Sequence, residues 1–356
     1  MKGAKMSRKV LTTIIAAILL LTMPLWCSNH KEKSALAATA FSSTNSVSEN
    51  KEIAAQSAAE SILQDTYNLA AERSRKSRYY CMETKVVNLG EDGTRTVPVT
   101  LKLLLMCVPA GQSSQDGYRH TCAKLTIRKG NEPEVRIPAL NGWSYLLKRT
   151  EDGGFHQGGL IFGIDHGKFQ GLKDSKGNAL PPEGAYVIYN MFVDFHAFCN
   201  QFAERAMTGK GIQDLKRIGK KIVHESAFSE PTLQLSGNIS EGSFFRNGEV
   251  TLEFKGLSIV DDVACAIVGF DSGDSSFKFS VKPTPDMEIK TVGASHYWGD
   301  LYIELESRWV RKCEMGELTV SKVTLGSQKD IKSVMERSTT ISAMDKDKFE
   351  KLISNN

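Results

Sequence analysis

Alternation of apolar and polar residues is the feature that most constrains how this chain can fold. Within residues 94–107, every second position from Val97 to Cys107 is apolar, and Thr100 and Lys102 lie between them. A period of two is typical of a β-strand that buries one of its faces. Pro98 has no amide hydrogen for a ladder, which favours an edge position or a bulge for this strand.

The same alternation recurs later in the chain, around Val250, Phe277 and Leu301. Turn dipeptides such as Asn247-Gly248 separate these runs at a spacing of roughly ten residues, which is typical of antiparallel strands joined by local turns. A helical pair is expected between the two groups of strands. The fold class predicted is α+β and β-rich, with two antiparallel β-meander regions that form either one curved sheet or two halves.

The predicted organisation has six parts. They are a signal peptide or membrane anchor (1–40), a polar leader with an N-terminal helix (41–77), a first β region (78–186), the helical pair (187–226), a second β region (231–330) and a polar tail with a short helix (331–356). The first helix of the pair, over 187–206, has a stripe that should bury Phe192, Phe195 and Phe202. The second should span 212–223, and Ser342 should cap the tail helix.

The N-terminus has the layout of a secretory signal peptide. Residues 1–9 are basic, residues 10–26 are uncharged and mostly apolar, and small residues near Ala37 and Ala40 suit cleavage. We therefore expect an exported protein, periplasmic or extracellular, whose mature N-terminus lies between residues 38 and 41. Because an apolar run of this length is near the lower limit for crossing a bilayer, an uncleaved anchor through 10–26 is the alternative.

The charge of the mature chain gives no reason to expect nucleic-acid binding. The first forty residues hold six of the 45 basic residues and one of the 41 acidic residues, which leaves a net charge of −1. Nucleic-acid binding depends on concentrated positive charge.

Six cysteines follow the expected cleavage site: Cys81, Cys107, Cys122, Cys199, Cys265 and Cys313. Three disulfides and buried free thiols are both consistent with that number. Alternation places Cys107 on the apolar face of its strand and Cys122 on the polar face of the next. A disulfide between these two is therefore not expected, unless a bulge changes the phase.

Three partial motifs fail as catalytic or phosphate-binding signatures. His224-Glu225 begins a zinc-protease helix, but Phe228 stands where the second histidine is needed. The run from Gly163 to Lys168 is one residue short of a phosphate-binding loop, and the run around Ser295 lacks the second glycine of a nucleophile elbow. We expect no catalytic residue, no metal and no cofactor.

Asp194 and His196 do not form an acid–base pair in the predicted helix. Residues two apart on a helix point in nearly opposite directions. Asp194 should face solvent, and His196 should be a half-buried residue with its hydrogen bonds satisfied.

Two surfaces are candidates for binding. On the second predicted helix, Lys216, Arg217, Lys220 and Lys221 should lie outward, where a basic amphipathic helix could meet an anionic envelope component. The alternative is an ordinary solvated face.

The second surface is on the strand that contains Leu301. If Leu301 faces the core, His296, Trp298 and Tyr302 share the opposite face, where they could bind sugars or other flat ligands by stacking. Cross-strand aromatic packing is the alternative.

These features predict an exported, β-rich binding or envelope-associated protein without catalytic activity. Its partner would be an envelope lipid, glycan or protein, with no nucleic acid. The alternative is a secreted hydrolase that assembles its site from distant residues, such as His156, His166 or His296 with acidic neighbours.

Overall fold

The structure, a computed structural model, describes residues 65–90, 92–149, 156–157, 160–180, 182–230, 242–284, 287–325 and 330–354. The predicted export segment, its cleavage site and most of the predicted N-terminal helix lie outside these residues. Within 65–77 the backbone forms a turn and irregular structure. The prediction of a helix is therefore wrong for this part of the chain.

Strands dominate the described residues. They are β1 (Arg78–Leu89), β2 (Val99–Pro109), β3 (Tyr118–Lys129), β4 (Val135–Arg136), β5 (Ser144–Leu147), β6 (His156–Gln157), β7 (Leu160–Ile161), β8 (Lys221–Val223), β9 (Phe244–Arg246), β10 (Thr251–Val260), β11 (Val263–Asp271), β12 (Ser275–Thr284), β13 (Met287–Glu304), β14 (Val310–Leu325) and β15 (Ile331–Met344). The α-helices are α1 (Pro182–His196) and α2 (Lys346–Ser354), and α1 continues as a π-helical turn over Ala197–Gln201.

Thirteen of these strands form one antiparallel sheet. Its main path runs β4, β3, β2, β1, β15, β14, β13, β11, β10 and β8, while β5, β9 and β12 pair beside that path. The two predicted β regions are joined through β15, a strand of the predicted tail, which pairs with β1 of the first region and with β14 of the second. The chain is thus β-rich and antiparallel as predicted, and the two regions belong to one sheet.

The apolar stripe of α1 lies against one face of this sheet, which we call the inner face; the opposite one is the outer face. Phe192, Phe195 and Phe202 are at most 2% exposed, as predicted. Phe195 meets Tyr80 of β1 edge-on at 5.1 Å, and Phe202 contacts Phe270 of β11 at 5.7 Å between ring centroids. Contacts of α1 and of Phe202, which follows its π turn, therefore reach strands from both predicted regions.

A buried ion cluster also ties α1 to the sheet. Arg337 of β15 donates from Nη1 to Asp194 of α1 and from Nε to Glu317 of β14. Burial raises the pKa of both carboxyl groups, and the charge of Arg337 opposes that rise. The prediction that Asp194 faces solvent is wrong, because its partner lies on a strand that the sequence did not reveal.

The second helix of the predicted pair is absent. Residues 212–214 form a single 3-10 turn, and Lys221 already belongs to β8. Gly219 has a φ of +80°, a left-handed conformation that interrupts any helix at that position. Ile212 and Ile222 are buried as expected, but a turn and a strand place them there rather than one helix face.

A bulge in β3 changes the predicted orientation of one cysteine. Leu104 lies opposite Lys124 and Leu105 lies opposite Cys122, so that Ala123 is the extra residue. Cys122 consequently shares the inner face with Leu105 and is fully buried, whereas alternation had placed it on the polar face. Cys107 lies opposite His120 in the register, not opposite Cys122.

The predicted polar tail contains a long strand, β15. Its inward positions include Ser333, Arg337 and Thr339 as well as Met335 and Ile341, and all five are at most 5% exposed. Because polar residues occupy several of the buried positions, the sequence of β15 does not show the alternation of apolar and polar residues that is typical of a strand.

The short helix that follows, α2, begins later than predicted, at Lys346. Asp345 caps it by accepting a hydrogen bond from the Lys348 amide at 2.7 Å, so Ser342, inside β15, is not the cap. Phe349 packs on Tyr79 of β1 at 5.1 Å.

Candidate functional site

The outer face of β13 carries the predicted aromatic stripe. Leu301 and Ile303 are fully buried on the inner face, whereas Trp298 is 40% exposed on the outer face. His296 and Tyr302 lie on the same face as Trp298 and are partly covered. The structure therefore places the three candidate ligand-binding residues on one surface, in the orientation that the alternation predicts.

Trp298 stands in the middle of a row that crosses several strands. Asp271 of β11 lies opposite it on one side, and Gly316 of β14 lies opposite it on the other. A Cβ atom added at Gly316 would lie 3.0 Å from Cζ2 of the indole. The absence of a side chain at Gly316 thus lets the indole lie against the neighbouring strand, which limits its movement.

Charged pairs flank the indole. His296 Nε2 lies 2.9 Å from Asp271 Oδ1, and its Nδ1 lies 3.6 Å from Asp274 Oδ1. The hydrogen bond with Asp271 raises the pKa of His296 although partial burial opposes the rise. On the other side, Lys255 Nζ binds Asp300 at 2.6 Å. His296 and Asp300 therefore have separate partners and do not pair with each other.

Tyr302 lies beyond Asp300 on the same face. The ammonium group of Lys312 is 5.7 Å from the centroid of its ring, a cation–π arrangement. Tyr302 is half-buried, so it offers less free ring surface than Trp298 does.

The predicted basic surface is exposed, but it lies on a turn and on the edge strand β8 rather than on a helix. Its residues are Lys216, Arg217, Lys220 and Lys221. Lys221 is close enough to Asp271 for its charge to matter. The hydrogen bond with His296 is the main reason that the pKa of Asp271 is low, and Lys221 lowers it further. One end of the basic surface therefore adjoins the face that holds Trp298.

Two histidines of the alternative hydrolase, His166 and His296, lie on different sides of the sheet. His166 lies in a 3-10 turn that packs through Phe169 on Phe192 of α1, on the inner side, whereas His296 is on the outer face. The side chain of His156 lies outside the described residues. Ser295 is fully buried on the inner face opposite Thr319 and has no hydrogen-bond partner for its hydroxyl group.

The remaining motif residue, His224, is buried and is bonded to Ser226 at 2.8 Å. Its neighbour Glu225 accepts amide hydrogen bonds from Thr208 and Gly209. Through these contacts, His224 and Glu225 both stabilise the surrounding loops.

A cleft of about 720 Å³ was not predicted from the sequence. Its walls come from residues 70–73, the start of β3, the end of β5 and residues 203–207. Glu204 is one of its lining residues and accepts hydrogen bonds from Arg73 at 2.6 Å and from Arg149 at 3.0 Å. These three residues are far apart in the sequence, so no local signal could have revealed the cleft.

A chain of hydrogen bonds leads from Glu204 into the core. Asn200 Nδ2 donates to Glu204 at 2.9 Å, which leaves its Oδ1 to accept from His196 Nδ1 at 2.9 Å. His196 Nε2 then accepts from the Tyr145 hydroxyl at 2.6 Å. Burial lowers the pKa of His196 to about 4, so the ring is neutral near pH 7. His196 is thus satisfied, as predicted, but fully buried rather than half-buried.

Two structural features are absent from the described part of the chain. No group of three or more His, Cys, Asp or Glu residues is arranged there to hold a metal ion. Nor does any helix among the same residues combine the length and apolarity needed to cross a membrane.

Comparison with known proteins shows no family for this chain. No family model matches it, and no curated protein matches it. Among solved structures, an anion-selective porin from Comamonas acidovorans aligns with 77% of this chain and 100% of its own at 11% identity, with a TM-score of 0.13. A TM-score this low supports no statement about the fold or function of this chain.

Proposed function

We propose that this chain is an exported binding protein without catalytic activity, and that it binds an envelope glycan on the outer face of its sheet. The observation that carries the proposal is the position of the Trp298 indole, which is 40% exposed and lies against Gly316 of the neighbouring strand. A flat apolar ring held in place loses little side-chain entropy when a ligand stacks on it.

The surroundings of Trp298 suit a polyhydroxylated ligand. Asp271 and Asp300 supply carboxylate acceptors on either side of the ring, while the ammonium group of Lys255 supplies donors. Sugars present apolar C–H faces ringed by hydroxyl groups, so that stacking and hydrogen bonding can act together. Lys221 and the neighbouring basic residues would favour a glycan that carries acidic groups.

The same geometry argues against a hydrolase centred on His296. A general base needs a nitrogen that is free to accept a proton from a nucleophile. In this protein, carboxylates of Asp271 and Asp274 face both ring nitrogens, and the raised pKa of His296 favours the charged form, which has no free lone pair.

Binding to an oligosaccharide array that includes peptidoglycan fragments tests the proposal. We expect the exported chain to bind a subset of the array, Trp298→Ala to lose that binding, and Trp298→Phe to keep part of it. Ile259→Ala is the matched control, since Ile259 is 74% exposed at the β10–β11 turn.

Unfolding measurements separate a binding role from a packing role. Because Trp298 is partly exposed, its truncation should cost less than about 1 kcal/mol of unfolding free energy. Binding that survives in Trp298→Ala would overturn the proposal, and so would a loss of stability of about 3 kcal/mol or more, the magnitude expected for a buried aromatic.

A further inference from the structure

We propose that the cleft above Glu204 is a second binding site, on the opposite side of the sheet from Trp298, and that its ligand is a small organic oxyanion bearing a carboxylate or phosphate group. The volume of about 720 Å³ lies within the range of small-molecule sites. The argument rests on the charge of the cleft, on the state of Glu204, and on a neighbouring arginine.

Positive charge predominates in the lining. Arg73, Lys148, Arg149 and Arg205 face two acidic residues, Glu72 and Glu204. The mature chain as a whole has a net charge of −1, so this excess is local. A concave site with one predominant sign of charge concentrates ions of the opposite sign and speeds their association.

Glu204 does not cancel this attraction. Its two carboxylate oxygens already accept hydrogen bonds from Arg73, Arg149 and Asn200. Burial would raise the pKa of Glu204, but the charges of the two arginines lower it, so the group is an anion bound to two cations. The group formed by Arg73, Glu204 and Arg149 therefore keeps one unit of excess positive charge.

The rim supplies cations that are available to a ligand. Lys148 and Arg205 are exposed, and neither forms an ion pair with another described residue. Between them the walls are partly apolar, with Leu147, Met207 and the ring of Tyr118. A ligand with an anionic head and a small apolar body would match both features.

A neighbouring arginine, Arg75, lies outside the lining of this cleft and has an unfilled hydrogen-bonding position. The guanidinium group of Arg75 lies 5.2 Å from the ring centroid of Tyr118 and donates from Nη2 to the Gly111 carbonyl group at 2.7 Å. Its Nη1 is buried and has no hydrogen-bond partner. A second, smaller depression opens beside Arg75, which lines it together with residues 109–112, while Tyr118 lines the main cleft. An unpartnered buried donor costs free energy unless an acceptor reaches it.

Calorimetric titration of the full exported chain tests this site. The probes are inorganic phosphate and succinate, at low ionic strength and again at 0.15 M sodium chloride as a typical physiological level. We expect saturable binding of at least one probe, and a loss of at least about tenfold in the double variant Lys148→Met/Arg205→Met, which corresponds to about 1.4 kcal/mol.

The matched control is Lys278→Met/Lys332→Met, which removes the same charge from two exposed lysines of β12 and β15. This control and Trp298→Ala should both leave the affinity unchanged, which separates this site from the glycan site. Vesicles containing phosphatidylglycerol distinguish a lipid headgroup from a free anion as the source of the oxyanion. No saturable binding of any probe, or an equal loss of affinity in the lysine control, would overturn the proposal.

Discussion

Replacing Arg337 with methionine removes the only cation from the buried cluster that links α1 to the sheet in the described residues. The side chains of Arg337 and Glu317 are each 4% exposed, and that of Asp194 is 15% exposed. The variant keeps the volume of the side chain roughly constant and leaves two carboxyl groups close together without a counter-charge.

The expected cost follows from burial. Removing one partner of a buried ion pair typically costs about 3–5 kcal/mol, because the remaining charge stays desolvated. Burial already raises the pKa of Asp194 and Glu317 in the native protein, against the pull of Arg337. Without Arg337 both pKa values rise further. Stability is then lost as the pH rises through these values and regained as the pH falls below them.

Urea unfolding followed by far-UV circular dichroism at pH 7 and pH 5 measures this effect. We expect a loss of about 3–5 kcal/mol at pH 7 and a clearly smaller loss at pH 5. The triple variant Asp194→Asn/Glu317→Gln/Arg337→Met, which has no buried charge at the cluster, should recover much of the loss. A cost below about 1 kcal/mol at pH 7, or an equal cost at both pH values, would refute the reasoning.

Three further predictions concern other parts of the chain. Phe195→Ala should cost about 3–5 kcal/mol in urea unfolding because the ring is fully packed, and a cost below about 1 kcal/mol would mean that α1 does not lie on the sheet. His196→Gln should flatten the loss of stability as the pH falls from 6.5 to 4: the unfolded histidine binds a proton throughout that range and the folded one does not, which amounts to about 3 kcal/mol. An unchanged pH profile would contradict a buried neutral ring. Mass spectrometry of the exported protein should find an N-terminus between residues 38 and 41, and intact residues 1–37 would indicate an anchor instead.

The sequence predicted those elements in which buried positions are uniformly apolar. β2 and α1 are examples, since Leu101 to Leu105 and Phe192 to Phe202 bury the residues that their periods indicate. The orientation of β13 followed in the same way, because the alternation around Leu301 alone predicts that Trp298 lies on the opposite face.

Elements that bury polar groups escaped prediction. Arg337 and Thr339 occupy inward positions of β15, where the oxygen atoms of Glu317, Asp194 and Thr84 satisfy them. The spacing of apolar residues in a sequence cannot reveal these hydrogen-bond partners, because the partners lie on other strands and on α1. The same limit explains why Asp194 was assigned to solvent.

Local irregularities and contacts between distant residues explain the remaining differences between prediction and structure. A single extra residue, Ala123, inverted the predicted orientation of Cys122, and apolar spacing alone could not distinguish a helix from a turn and a strand before Gly219. The cleft depends on Arg73, Glu204 and Arg149, which only the folded chain brings together.

The most direct test of the central claim is nuclear magnetic resonance of the tryptophan indole groups during titration with the glycan selected from the array. Trp298 should show a saturable shift of its indole signal. Trp309 is an internal control, because its indole is buried and donates to the Ser74 carbonyl group at 2.9 Å. A shift confined to Trp298 is the result predicted for a glycan site on the outer face. An unmoved Trp298 signal at saturating ligand would contradict that assignment.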